Sequence, residues 1–196
     1  LKQAYRRIIN TTMLVTFACM LGLAAAAKSL ILILIGEKWL PAVSFLQIIC
    51  FSGMLYPLHA INLNMLQVKG HSDLFLKLEI IKKIIAVGPI LIGILFGIKY
   101  MLWGSVFISF IAYLLNSYYS AGLIHYSTKE QIKDILPTFA ISLFVASVMW
   151  SLSLLDISIY VILPMQCVTG ISLAVLIYEL FKPEEYLEIK ALITRK

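Results

Sequence analysis

Residues 11–35 read TTMLVTFACMLGLAAAAKSLILILI, with Lys28 as the single formal charge. A bilayer crossing needs ~20 mostly apolar residues in a helix, and this stretch exceeds that before Gly36-Glu37-Lys38-Trp39 ends it. The same pattern recurs along the chain. A second span runs from Pro41, a good first-turn residue, to Val68, and the polar turn Lys69-Gly70-His71-Ser72-Asp73 closes it. A third covers Glu79 to Ile98, with a kink expected at Gly88-Pro89. The fourth runs from Met101 to Ile124, the fifth from Ile135 to Leu155 and the sixth from Ile157 to Phe181. Residues 1–10 then form a basic arm and 182–196 a polar tail.

The expected fold is all-α: a polytopic membrane protein of about six transmembrane helices. Of the residues, 61% are hydrophobic and 13% charged, and the mean hydropathy is +0.96. A soluble domain carries about 25% charged residues, so this chain lacks the charge to clothe a core in water. The connections between spans three and four and between five and six are very short, which makes antiparallel hairpins. Transmembrane β-strands are ~10 residues of alternating polarity, and nothing here alternates.

Lysine and arginine report orientation. Thirteen of the sixteen cations fall in the arm (Lys2, Arg6, Arg7), the turn after span two and its flank (Lys69, Lys77, Lys82, Lys83), the loop after span four (Lys129, Lys133) and the tail (Lys182, Lys190, Arg195, Lys196). Six crossings place these segments on one face, and cation-rich loops are cytoplasmic. Both chain ends are therefore expected in the cytoplasm of a bacterial cell, with the spans in its inner membrane. Trp39, Tyr100 and Trp103 fall at the opposite interface, where aromatic belts belong. The net charge of +6 is spread between apolar runs, so nucleic acid is not the expected partner.

Polar groups at membrane depth are costly unless paired or facing water. On the second span Ser44, Ser52, His59 and Asn62 share an arc of about 80° at 100° per residue, with Tyr56 beside it and Gln47 on the other side. Pro57 interrupts the same region. The fourth span repeats the pattern with Ser105, Ser109, Tyr113, Asn116 and Ser120. Two readings stand: interhelical packing through small and hydroxyl residues, or the lining of a cavity. The candidate cavity residues are Lys28, Gln47, Ser52, Tyr56, His59, Asn62, Ser109, Tyr113 and Asn116. His59 titrates near neutral pH when free and so is a candidate proton carrier as well as a hydrogen-bonding group. Lys28 lies about 12 Å inside the end of the first span; it either snorkels to the interface or offers a cation to an anionic substrate.

No P-loop, GxSxG, HExxH or paired carboxylates occur, and every carboxylate sits at or near a span end. Hydrolysis or glycosyl transfer needs an acid–base or metal constellation, so no catalytic residue and no metal site is expected, and the chain is not expected to be an enzyme. Cys19, Cys50 and Cys167 each lie in an apolar run without metal-ligand spacing, as apolar filler does.

Gly36-Glu37-Lys38-Trp39-Leu40-Pro41-Ala42-Val43, continued by Leu46-Gln47-Ile48, resembles the Wzx- and TuaB-type polysaccharide flippases of the multidrug, oligosaccharidyl-lipid and polysaccharide exporter superfamily. The similarity continues through Asn62-Leu63-Asn64, the turn Gln67 to Leu74, Leu76 to Lys83, Tyr118-Tyr119 and Leu136-Pro137. His71 stands where the family turn has Arg, and Lys69 where it has a small residue. The resemblance implies two helical bundles arranged as a V around a cavity, with this chain as most of the C-terminal bundle. It implies transport of a polyprenyl-pyrophosphate-linked oligosaccharide to the outer leaflet by alternating access, for lipopolysaccharide O-antigen or similar surface polymers. It brings no cofactor beyond coupling to a proton or sodium gradient, and its partners are the lipid-linked oligosaccharide, membrane lipids and other polysaccharide assembly proteins. Two other functions stay open: a multidrug antiporter of the same superfamily, and a non-transporting membrane subunit of a polysaccharide synthase.

Overall fold

A computed structural model describes residues 1–183, 186, 187 and 190; the expected cytoplasmic tail therefore falls largely outside the described residues. Among these the chain forms eight α-helices: α1 (Lys2–Leu34), α2 (Ala42–Gly53), α3 (Tyr56–Val68), α4 (Ser72–Ile85), α5 (Val87–Phe96), α6 (Ile98–Ile124), α7 (Thr128–Ser151) and α8 (Ile159–Phe181). Single 3₁₀ turns at Glu37–Trp39 and Leu152–Leu154 round the chain off after α1 and α7. The fold is an all-helical bundle, and five segments are long and apolar enough to cross a membrane: α1, α2 with α3, α6, α7 with its 3₁₀ turn, and α8. Many large apolar side chains point outward, Ile94 at 75% exposed and Phe107 at 66% among them, as suits a hydrocarbon surround rather than water.

Four boundaries differ from the sequence expectation. The basic arm is not separate: α1 starts at Lys2, because its first turns are anchored to α7. Lys2 Nζ pairs with Glu130 at 2.9 Å, Arg6 grips Asp134 through Nη2 and Nε at 2.6 Å, and the Tyr126 hydroxyl donates to the same carboxylate at 2.6 Å. The fifth span likewise begins seven residues early. Ser127 and Glu130 form a capping box that satisfies the first amides of α7.

The other two differences are breaks. The second span divides at Met54-Leu55, and Pro57, in the first turn of α3, has no N–H to offer the Gly53 carbonyl. The third span starts at Ser72 and divides at Ala86, with Pro89 in the first turn of α5. The charged residues Lys77, Glu79, Lys82 and Lys83 lie on α4, and Lys82 pairs with Glu79. Even so, α4 and α5 follow α6 along its length. The turn at Gly97, φ 98°, lets α5 fold back on α6, Pro89 abuts Gly104, and Leu78 of α4 packs with Leu63 and Leu66 in a cluster that Leu115 and Leu123 join.

At the centre lies α1. Tyr5, Ile9, Met13, Phe17, Leu21 and Ala25 form its core stripe, and the alanine run from Ala24 to Ala27 lets neighbours approach closely. Ser29 donates to Gln166 of α8 at 2.9 Å, and Gln166 in turn donates to the Met149 carbonyl of α7 at 3.0 Å, fastening three helices at one depth.

Candidate functional site

The polar stripes of the second and fourth spans face each other. Ser52 and Ser109 share a hydrogen bond at 2.8 Å, Asn116 Nδ2 donates to the His59 carbonyl at 3.0 Å, and Ser120 donates to Asn62 Oδ1 at 2.5 Å. Partners are 57 or 58 positions apart each time, so α2–α3 and α6 run parallel in fixed register. Asn62 and Gln131 of α7 are both fully buried and exchange two amide hydrogen bonds, Asn62 Nδ2 to Gln131 Oε1 at 3.0 Å and Gln131 Nε2 to Asn62 Oδ1 at 3.1 Å. Tyr5 also donates to Asn62 Oδ1 at 3.0 Å, and Asn62 Nδ2 reaches the Leu58 carbonyl at 2.8 Å. Every hydrogen-bonding capacity of that amide is used inside the protein.

Open space lies elsewhere, between the α2–α3/α6 seam and α7, with α1 as floor. Two adjoining cavities make one groove, sharing Phe51 and Trp103. One half, about 600 Å³, is apolar and aromatic, with Phe17, Phe107, Phe110 and Phe139 among its walls. The other half, about 480 Å³, is walled by Ser44, Gln47, Lys99, Ser147 and Trp150 over a floor of Ala24 and Ala25. Volumes of this size suit small-molecule ligands, whose sites run roughly 300–1,000 Å³. Among the described residues no acidic side chain lines either half.

The candidate residues thus divide by place. Gln47 lines the polar half and donates to the Ala24 carbonyl at 3.2 Å. Tyr113, 2% exposed, lines the apolar half, and its hydroxyl makes no hydrogen bond. Ser52, Ser109, Asn62 and Asn116 sit in the seam, with His59, which meets Tyr56 edge to face at 5.2 Å; Tyr56 itself is exposed. Lys28 is exposed, one helical turn beyond Ala24 on the same face of α1. Lys28 is not among the residues that line either half.

Of Lys99, Trp103 and Trp150, the sequence marked only Trp103, as an interfacial residue. The signal that could have found the groove was periodicity: Trp103, Phe107 and Phe110 share an arc of about 60° on α6, away from Ser105, Ser109 and Ser120. With Ile132, Leu136, Phe139 and Leu143 at the same spacing on α7, two apolar walls stand over one floor.

Residues 1–44, which comprise α1 and the entry into α2, match the model of a family described as polysaccharide biosynthesis protein. No curated protein and no solved structure matches the chain.

Proposed function

We propose that this chain is part of a flippase that carries a polyprenyl-pyrophosphate-linked oligosaccharide across the bacterial inner membrane for surface polysaccharide assembly. The groove carries the reading. It joins an aromatic, apolar half to a half bearing Lys99, Gln47 and two serines, with Lys28 one helical turn beyond the floor residue Ala24. Such a gradient suits a ligand with a hydrocarbon chain at one end and an anionic, hydroxyl-rich head at the other. The family match over residues 1–44 supports a role in polysaccharide biosynthesis. Transport needs no catalytic group. The chain's own residues bind and orient: the phenylalanines shield the lipid, and the lysines hold the head. Alternating access would come from this bundle rocking against a second one, its own rigidity supplied by the polar seam and by the anchors between α1 and α7. A multidrug antiporter taking cationic drugs would place a carboxylate in the groove, and none lines it.

The test is genetic. Deleting the gene should deplete surface polysaccharide and leave lipid-linked oligosaccharide on the cytoplasmic leaflet, and the intact gene should restore export. At matched membrane abundance Lys28→Arg should retain export, since the charge remains and can pair bidentately with phosphate, while Lys28→Glu should lose it. Unchanged surface polymer in the deletion strain would sink the proposal.

A further inference from the structure

Two indoles line the polar half of the groove, Trp103 from α6 and Trp150 from α7. Each is about half exposed, at 52% and 50%. Trp39 and Tyr100, at the same end of the bundle, are exposed without lining the groove, as interfacial anchors are. From α1 the same space is lined by Leu21, Ala24 and Ala25, two of them small side chains.

Hydrogen-bonding groups ring this space. Gln47 spends one of its two Nε2 protons on the Ala24 carbonyl and keeps the other to donate and Oε1 to accept. Ser44 and Ser147 each donate to a carbonyl of their own helix, at Pro41 and Leu143, and keep lone pairs to accept. Lys99 makes no ion pair among the described residues. Two flat apolar faces with donors, acceptors and one cation at their edges complement a pyranose ring. Its axial C–H faces lie on the aromatic planes, its hydroxyls meet Gln47 and the serines, and a ring carboxylate meets the ammonium. A hydrocarbon chain would leave Lys99 and Gln47 unused, and a small inorganic anion would leave the indoles unused.

We propose that the polar half of the groove is a saccharide subsite for an acidic pyranose, with Trp103 and Trp150 as stacking platforms and Lys99 as counter-ion to the carboxylate. It rests on the groove being the transport path. The charge also sets the order of preference: an acidic ring gains a charge-assisted contact that a neutral ring lacks.

The natural protein, purified at its full length in detergent, can be tested by saturation-transfer NMR with two probes, hyaluronan tetrasaccharide and the neutral cellotetraose. Both should receive saturation, and the acidic glycan should bind about tenfold more tightly at low salt. Lys99→Gln should abolish that preference and leave neutral binding intact. Trp103→Leu and Trp150→Leu should each weaken both glycans by about tenfold, Trp103→Phe should recover most of the loss, and Trp39→Leu should change nothing. Absence of saturation in the unaltered protein, or equal saturation in both Leu variants, would overturn the subsite. Export separates the two proposals. Normal export by the Trp variants in cells whose deletion strain fails to export removes the subsite alone, whereas normal export by the deletion strain removes the flippase reading itself.

Discussion

The Asn62 and Gln131 side chains, both fully buried, form a closed amide pair that also takes protons from Tyr5 and Ser120. Removing Asn62 deprives Tyr5 of its acceptor and leaves Gln131 only a long bond to the Tyr126 carbonyl at 3.4 Å, and removing Gln131 takes two bonds from Asn62; a buried unsatisfied group costs about 1–3 kcal/mol. Replacing both by apolar residues removes the need along with the bond. Asn62→Leu and Gln131→Leu should therefore each lower the thermal midpoint in detergent, while the double variant loses clearly less than both losses together. The expected coupling is about 1–2 kcal/mol, at the upper end for hydrogen bonds between membrane helices. Additive losses would show that the pair does not act as a unit. Asn62 was legible as a polar group at membrane depth, but Gln131 was not. It lies in a charged stretch, Lys129 to Asp134, that reads as loop, and only the capping box at Ser127 and Glu130 turns it into helix. Sequence periodicity finds which face is polar. It does not tell whether that face meets water, substrate or another helix, because the same residues satisfy all three.

Prolines punctuate these helices unequally. Pro57 and Pro89 each stand just after a break, whereas α7 and α8 continue through Pro137 and Pro164. Glycine accompanies both breaks: Gly53 is the residue whose carbonyl Pro57 cannot serve, and Gly88 precedes Pro89. A glycine costs a helix about 0.5–1 kcal/mol relative to alanine, so the ladder yields where proline and glycine coincide. That rule was readable at Gly88-Pro89; at Pro57 the sequence announced an interruption without saying that two helices would result. The glycines also differ in what surrounds them. A methyl group at Gly53 would meet Met20 Sδ at 3.5 Å, an ordinary contact, whereas at Gly170 it would meet Met149 Sδ at 2.5 Å. Met149 lies between Gly22 of α1 and Gly170 of α8 and lines, with both, a cavity of about 520 Å³ into which its flexible end can shift. Gly53→Ala should leave the unfolding midpoint unchanged or raise it. Gly170→Ala should lower it by the equivalent of about 1 kcal/mol, the low end of overpacking, because Met149 must shift to make room. The reverse order in a thermal scan would mean that α8 does not seat against α7 around Met149.

Taken whole, the molecule must cross the membrane an even number of times between the first turns of α1 and α7. Lys2 with Glu130 and Arg6 with Asp134 tie those two helix starts together, so both lie on one face. Between them run α1, α2–α3 and α6, each long and apolar enough to cross, and three crossings cannot return the chain to its starting face. The broken pair α4–α5 must therefore cross as well, although its charged α4 half gives it no uninterrupted apolar stretch of full length. Packing agrees, since α5 lies antiparallel to the first half of α6 and α4 joins Leu115 and Leu123 of its second half. Membrane-embedded charge on α4 is tolerable where Lys82 is neutralised by Glu79. Six crossings then put the turn at Gly70 and the turn at Gly97 on opposite faces, and the cation-rich face, which carries the Gly70 turn, should be cytoplasmic. A protein with its three cysteines replaced, carrying a single new cysteine as Ser72→Cys or Lys99→Cys, decides the point in intact cells. A membrane-impermeant maleimide should label the Lys99→Cys protein from outside and reach the Ser72→Cys protein only after the cells are opened. If α4–α5 instead folds back without crossing, the two positions share a face and label alike, and the tie between α1 and α7 would have to be abandoned with the six-crossing topology.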